Sequence, residues 1–160
     1  MVSNECNYIG TGLLSKHANS NFTGNTATDY GGAVYFYQGT GTVSNCNFIN
    51  NTASYWGGAI YFYDNSIGNV TNCNFTNNSA NYGGSVYFYQ GTGSMTNCNF
   101  TDNSANNGGA VYFYQGTGSV TNCNLSVYRF DCVMVHEIVS NISQIFLTLT
   151  SIISYSKLNF

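Results

Sequence analysis

The stretch GGSVYFYQGTGSMTNCNFTDNSANNGGAVYFYQGTGSVTNCN, from Gly83 to Asn124, states one pattern twice. Gly-Gly-small-Val-Tyr-Phe-Tyr leads to Asn-Cys-Asn, then to Phe-x-x-Asn, and then to Gly-Gly again. Working outward, Gly pairs begin at Gly31, Gly57, Gly83 and Gly108, at intervals of 26, 26 and 25 residues. Phe22, Phe48, Phe75 and Phe100 each open a Phe-x-x-Asn unit, closing at Asn25, Asn51, Asn78 and Asn103. A fixed period of this length means stacked structural units.

Each unit holds strand formers, such as AVYFY and TVSNCNF, separated by Gly- and Asn-rich turns. The Leu framework of leucine-rich repeats is missing, and no part of a unit has helical spacing. Each unit therefore makes short strands and returns above its own start, so equivalent strands pair in parallel about 4.8 Å apart. The predicted fold is all-β: a right-handed parallel β-helix of four to five coils, with about 25 residues per coil.

Stacking also accounts for the composition. A charged residue would lie on its own kind in the next coil, and only 6% of the 160 residues are charged, against roughly 25% in ordinary soluble domains. Between Tyr30 and Tyr128 the only charged side chains are Asp64 and Asp102. Asn can stack without penalty, because each amide donates to one neighbour and accepts from another. Asn25, Asn51, Asn78 and Asn103 are expected to form such a structural ladder at a turn. Three Lys and Arg in the whole chain exclude the basic patch that nucleic-acid binding needs.

Alternation along the strands assigns the faces. Val34, Ile60, Val86 and Val111, with Phe36, Phe62, Phe88 and Phe113, are placed inward, as are Phe48, Phe75 and Phe100. Tyr35, Tyr37, Tyr61, Tyr63, Tyr87, Tyr89, Tyr112 and Tyr114 then point outward, as an open aromatic strip and the candidate ligand-binding surface. The reverse facing would bury eight hydroxyls needing partners. Ser85 replaces Ala at the small position, which reads as a partly wet face. Cys46, Cys73, Cys98 and Cys123 share one slot, occupied by Ser20 in the earliest copy, and read as a column of small buried thiols. Close cysteine pairs of the zinc-binding kind are missing, so no metal or other cofactor is expected.

Residues 1–19 read as a partial first coil, 20–125 as β-helix repeats, and 126–160 as a C-terminal cap, final coil or non-repeat tail. After Asn124 the pattern stops. Ile138–Ser156 runs nineteen residues without a charge, long enough for a bilayer, but nine of them are Ser, Thr, Asn or Gln. A cap or last coil is the expectation. MVSNECNYIG has neither the basic start nor the apolar core of a secretory leader, so the chain is expected to be a piece of a longer protein or one exported by another route.

GGA[IV] alternating with FxxN resembles the repeat of the polymorphic outer membrane protein family and of adhesin-like right-handed β-helix surface proteins. The matching units are GGAV at Gly31, GGAI at Gly57, GGSV at Gly83 and GGAV at Gly108, with the four FxxN units, over Phe22 to Leu125. The resemblance implies a passenger displayed at the cell surface, at the outer membrane or outside the cell, and implicated in adhesion.

Catalysis needs clustered titratable groups. Asp29, Asp64 and Asp102 fall in different slots of the repeat, while His17 and His136 read as lying outside the regular coils. No catalytic residue is assigned, and a non-enzymatic adhesin-like segment that binds glycans or cell-surface proteins is the expected function. The alternatives are a β-helix domain of a polysaccharide lyase or hydrolase, and a purely structural spacer.

Overall fold

The computed structural model describes residues 9–11, 14–126 and 133–136. Among these the secondary structure is strand and turn, without helix. The first sheet joins Ile9–Thr11, Val34–Tyr37, Ile60–Tyr63, Val86–Tyr89, Val111–Tyr114 and Val133–His136. The second joins Leu14–Ala18, Thr40–Ser44, Ile67–Thr71, Thr92–Thr96 and Thr117–Thr121. The third joins Asn21–Thr23, Asn47–Ile49, Asn74–Thr76, Asn99–Thr101 and Asn124–Ser126. Thr26–Ala27 and Thr52–Ala53 form a short fourth pair. Every pairing is parallel and links one repeat to the next, Val86 to Val111 and Phe75 to Phe100 among them. This is the expected β-helix: a chain that returns after 25 to 27 residues closes its backbone hydrogen bonds only on its own next coil.

The corners are made by left-handed residues. One coil turns at Gly57, Asp64, Asn72 and Asn77, with φ of 65°, 55°, 53° and 54°. Asn and Asp tolerate this region better than other non-glycine residues. The Asn before each repeated Cys is thus a corner residue, and so is the residue before each ladder Asn. In the Gly pair, Gly57 takes the positive φ, while a Cβ at Gly58 would run into the carbonyl of Gly84 in the next coil.

The interior is a set of columns. Phe36, Phe62, Phe88 and Phe113 stack at centroid distances of 4.7, 4.6 and 4.8 Å. Phe22, Phe48, Phe75 and Phe100 do the same at 4.8, 4.9 and 4.8 Å. Successive rings in these columns are parallel to within 3° to 6°. Each such ring pair adds about 0.5–1.5 kcal/mol beyond its burial.

Asn25, Asn51, Asn78 and Asn103 form a buried ladder. Each Nδ2 donates to the Oδ1 of the next coil, at 2.8, 3.0 and 3.0 Å. The same Oδ1 accepts the backbone N–H of the preceding Asn. The second Nδ2 hydrogen of Asn51, Asn78 and Asn103 reaches the carbonyl of Phe22, Phe48 and Phe75. A second ladder, on the outside, was not expected: Asn47, Asn74, Asn99 and Asn124 each donate to the Asn one coil earlier, so it runs in the opposite direction.

Cys46, Cys73, Cys98 and Cys123 are buried free thiols. Each donates to the carbonyl two residues back, as Cys46 does to Ser44 at 3.2 Å. Ser20 makes the same contact to Ala18 at 2.9 Å, which is why it can share the slot. Burial pushes the Cys46 thiol up, and hydrogen-bonded thiol neighbours push Cys98 up, so both stay protonated.

Two expectations are corrected. His17 and His136 both lie within the coil stack: His17 pairs in register with Val43, and His136 with Tyr114. The side chain of His17 sits edge-on to Phe22 and Phe36, and burial lowers its pKa. Its strand, LSKHA, has lost the repeat's signature, but a backbone ladder requires no particular side chain. Ser85 faces no water: it is fully buried, and its Oγ makes no hydrogen bond. Its column is otherwise Ala33, Ala59 and Ala110, so the hydroxyl sits in a cavity shaped for methyl groups. The charge-free segment Ile138–Ser156 lies outside the described residues.

Candidate functional site: a tyrosine-lined groove

The alternation of the first sheet sends Val and Phe into the main core, and sends the tyrosines to the outside of the coil, where they form a separate aromatic cluster. The surface they make is not the open strip expected. Tyr61, Tyr87 and Tyr112 are only 3%, 3% and 4% exposed. They are covered by a column that strand alternation could not reveal, Tyr30, Trp56 and Tyr82, the residues directly before each Gly pair. These are linked coil to coil by parallel bridges that end at Asn107. The left-handed glycine that follows, as Gly57 follows Trp56, turns the chain so that this column lies beside the strand tyrosines. The signal was available in DYGG, YWGG, NYGG and NNGG.

The result is a groove of about 750 Å³ running along the solenoid. Tyr35, Tyr61, Tyr87 and Tyr112 form its floor. Tyr63, Tyr89 and Tyr114 stand on one side, with Tyr30, Trp56, Tyr82 and Asn107 on the other. Tyr37, at the start of the outer tyrosine column, is exposed and stacks on Tyr63 at 5.6 Å. None of the lining side chains is charged.

Most ring faces in the groove are already occupied. Tyr35 and Tyr61 stack at 5.3 Å and 11°, Tyr87 and Tyr112 at 5.2 Å and 4°, and Tyr89 and Tyr114 at 5.4 Å and 11°. Such rings present edges and hydroxyls to a ligand, not faces. Burial pushes the Tyr35 phenol up to about 12, with Tyr63 and Tyr30 adding to the effect. The phenols of Tyr61 and Tyr87 are raised further, again chiefly by burial. The floor is therefore neutral, and its phenol hydroxyls can donate and accept hydrogen bonds without supplying a base.

Among the described residues the carboxylates are not brought to one place. Asp64 is a corner residue after the first sheet and accepts from Gln38 of the preceding coil. Asp102 is the corner after the third sheet. Asp29 lies next to Tyr30, and its carbonyl accepts the N–H groups of Tyr55 and Trp56. Among the described residues no three His, Cys, Asp or Glu side chains gather where a metal ion could be held.

Neither a curated protein nor a solved structure matches the chain. The family model for a right-handed β-helix region matches residues 1–137. With the coil stack and its parallel register, that match establishes that the chain belongs to the right-handed β-helix family.

Proposed function

We propose that this β-helix is a non-enzymatic segment of a surface-displayed, adhesin-like protein, and that it binds glycans or cell-surface ligands along its lateral groove. The carrying observation is the groove itself: an uncharged aromatic trough repeated coil after coil, outside the core that holds the fold. Thr or Val would serve a sheet equally well at these outward positions. The stiffness of stacked coils holds each weak contact in line with the next, so that several add through effective concentration. Separation of Asp29, Asp64 and Asp102 supports a binding role over a lyase or hydrolase, which would need acid and base side by side.

The spacer reading has one observation in its favour, the mutual stacking of the tyrosines, which stabilises the sheet by itself. A triple Tyr63/Tyr89/Tyr114→Ser variant separates the two. These rings are half-exposed, whereas replacing Tyr61, Tyr87 and Tyr112 would empty a buried cluster. A glycan array and a cell-adhesion assay, with circular dichroism to confirm folding, should show binding by the wild type and its loss in the variant. Equal adhesion by a folded variant would leave the spacer.

A further inference from the structure

We infer that Trp56 is the stacking platform of the groove, and that it takes a neutral pyranose ring through the ring's C–H-rich face. This rests on the reading of the groove as a glycan-binding surface.

The aromatic stack breaks between Tyr61 and Tyr87. On one side of the break, Tyr30, Tyr35, Trp56 and Tyr61 lie nearly parallel: Trp56 is 5.1 Å from Tyr30 at 11°, and 6.4 Å from Tyr61 at 19°. On the other side, Tyr87 and Tyr112 are parallel within 4°. Between the two blocks, Tyr61 and Tyr87 are tilted by 50°. The covering column breaks at the same level. Tyr82, the next residue of that column, leans edge-on against Tyr112 at 67° and makes no ring contact with Trp56. The other neighbours of the indole are tilted, Tyr55 by 34° and Tyr87 by 55°. Trp56 is thus half-buried, nearly parallel to Tyr30 and Tyr61, and no ring of the following coil lies parallel to it.

The lining of the groove around Trp56 selects the ligand. A sugar ring has an apolar face and a rim of hydroxyls. The face would lie on the indole, and the rim would meet the phenol hydroxyls of Tyr63, Tyr87 and Tyr89. An anionic sugar would leave its carboxylate among neutral side chains without a partner. A cation could also sit over an indole, but the lining offers no counter-charge.

The only tryptophan of the chain is also its reporter. The full chain is titrated with cellohexaose, N-acetylchitohexaose and choline, with tryptophan emission and calorimetry as readouts. Trp56→Tyr is the matched variant, because Tyr30 and Tyr82 show that the slot accepts tyrosine. A neutral hexasaccharide should shift the emission, and Trp56→Tyr should bind it about tenfold more weakly, the equivalent of ~1.4 kcal/mol. Saccharide binding with unmoved emission and undiminished affinity in Trp56→Tyr would overturn the platform while leaving the groove reading in place. Failure of both saccharides, and of every neutral glycan on an array, would overturn both. A response to choline alone would overturn the sugar class.

Discussion

Asn78→Ala tests the ladder as a source of stability, and its cost can be worked from the hydrogen bonds it removes. The Asn78 amide takes part in four: Oδ1 accepts from Asn51 N and Nδ2, each at 3.0 Å, and Nδ2 donates to Asn103 Oδ1 and Phe48 O, each at 3.0 Å. Truncation orphans the buried Asn51 N–H, which costs about 1–3 kcal/mol. Asn51 Nδ2 keeps the Phe22 carbonyl, and Asn103 Oδ1 keeps the Asn78 N–H. Those losses are smaller, about 0.5–1.5 kcal/mol each. With a similar loss at the Phe48 carbonyl, the sum is about 5 kcal/mol, a large share of the 5–15 kcal/mol typical of a whole domain. The control is Asn50→Ala, at the exposed corner after the third-sheet strand of the preceding coil, with φ of 56°. It loses only the tolerance of Asn for that backbone, about 1–2 kcal/mol. Guanidinium denaturation followed by far-ultraviolet circular dichroism measures both. If Asn78→Ala costs no more than Asn50→Ala, the ladder is a by-product of stacking and not a cause of it.

Two further outcomes follow from other groups. Ser85→Ala should raise stability by about 1 kcal/mol, because it removes a buried hydroxyl with no partner; a lower denaturation midpoint would mean that the hydroxyl is satisfied after all. Alkali should weaken the fold between about pH 10 and 12, because tyrosines of the unfolded chain ionise near 10 while Tyr35 holds its proton to about 12 and Tyr61 and Tyr87 longer. That contribution is fully present below the unfolded pKa and is lost as pH rises through the folded one. Phenolate absorbance should therefore lag behind that of free tyrosine and appear with the loss of circular dichroism; titration of every tyrosine near 10 with the fold intact would refute the burial argument.

The fold was legible because stacking writes itself into sequence. A column must suit itself at every level, so Phe-x-x-Asn and Gly-Gly recur with the coil, and charge disappears from the repeats. Alternation then gave the facing of Val34, Phe36 and their copies, because a two-residue period is a property of one strand. What lies over an outward residue is a different matter. Tyr61 and Tyr87 point away from the core, yet they are as buried as core residues, because Trp56 and Tyr82 arrive beside them from the far side of a glycine corner. That contact joins two slots of the repeat through the turn geometry of Gly57 and Gly83, and alternation within a strand carries no trace of it. His17 and Ser85 were misplaced for the related reason that a column tolerates a misfit. Neighbouring coils supply the backbone pairing, so one histidine among valines, or one serine among alanines, changes the packing of its slot without breaking the ladder. The same tolerance makes the groove variable: its covering column already reads Tyr, Trp, Tyr, Asn from Tyr30 to Asn107, while the residues beneath it stay Tyr in all four coils. Selection for a ligand can act on the covering column while the floor is held by packing, so the residues that decide binding should be sought where the repeat is least regular.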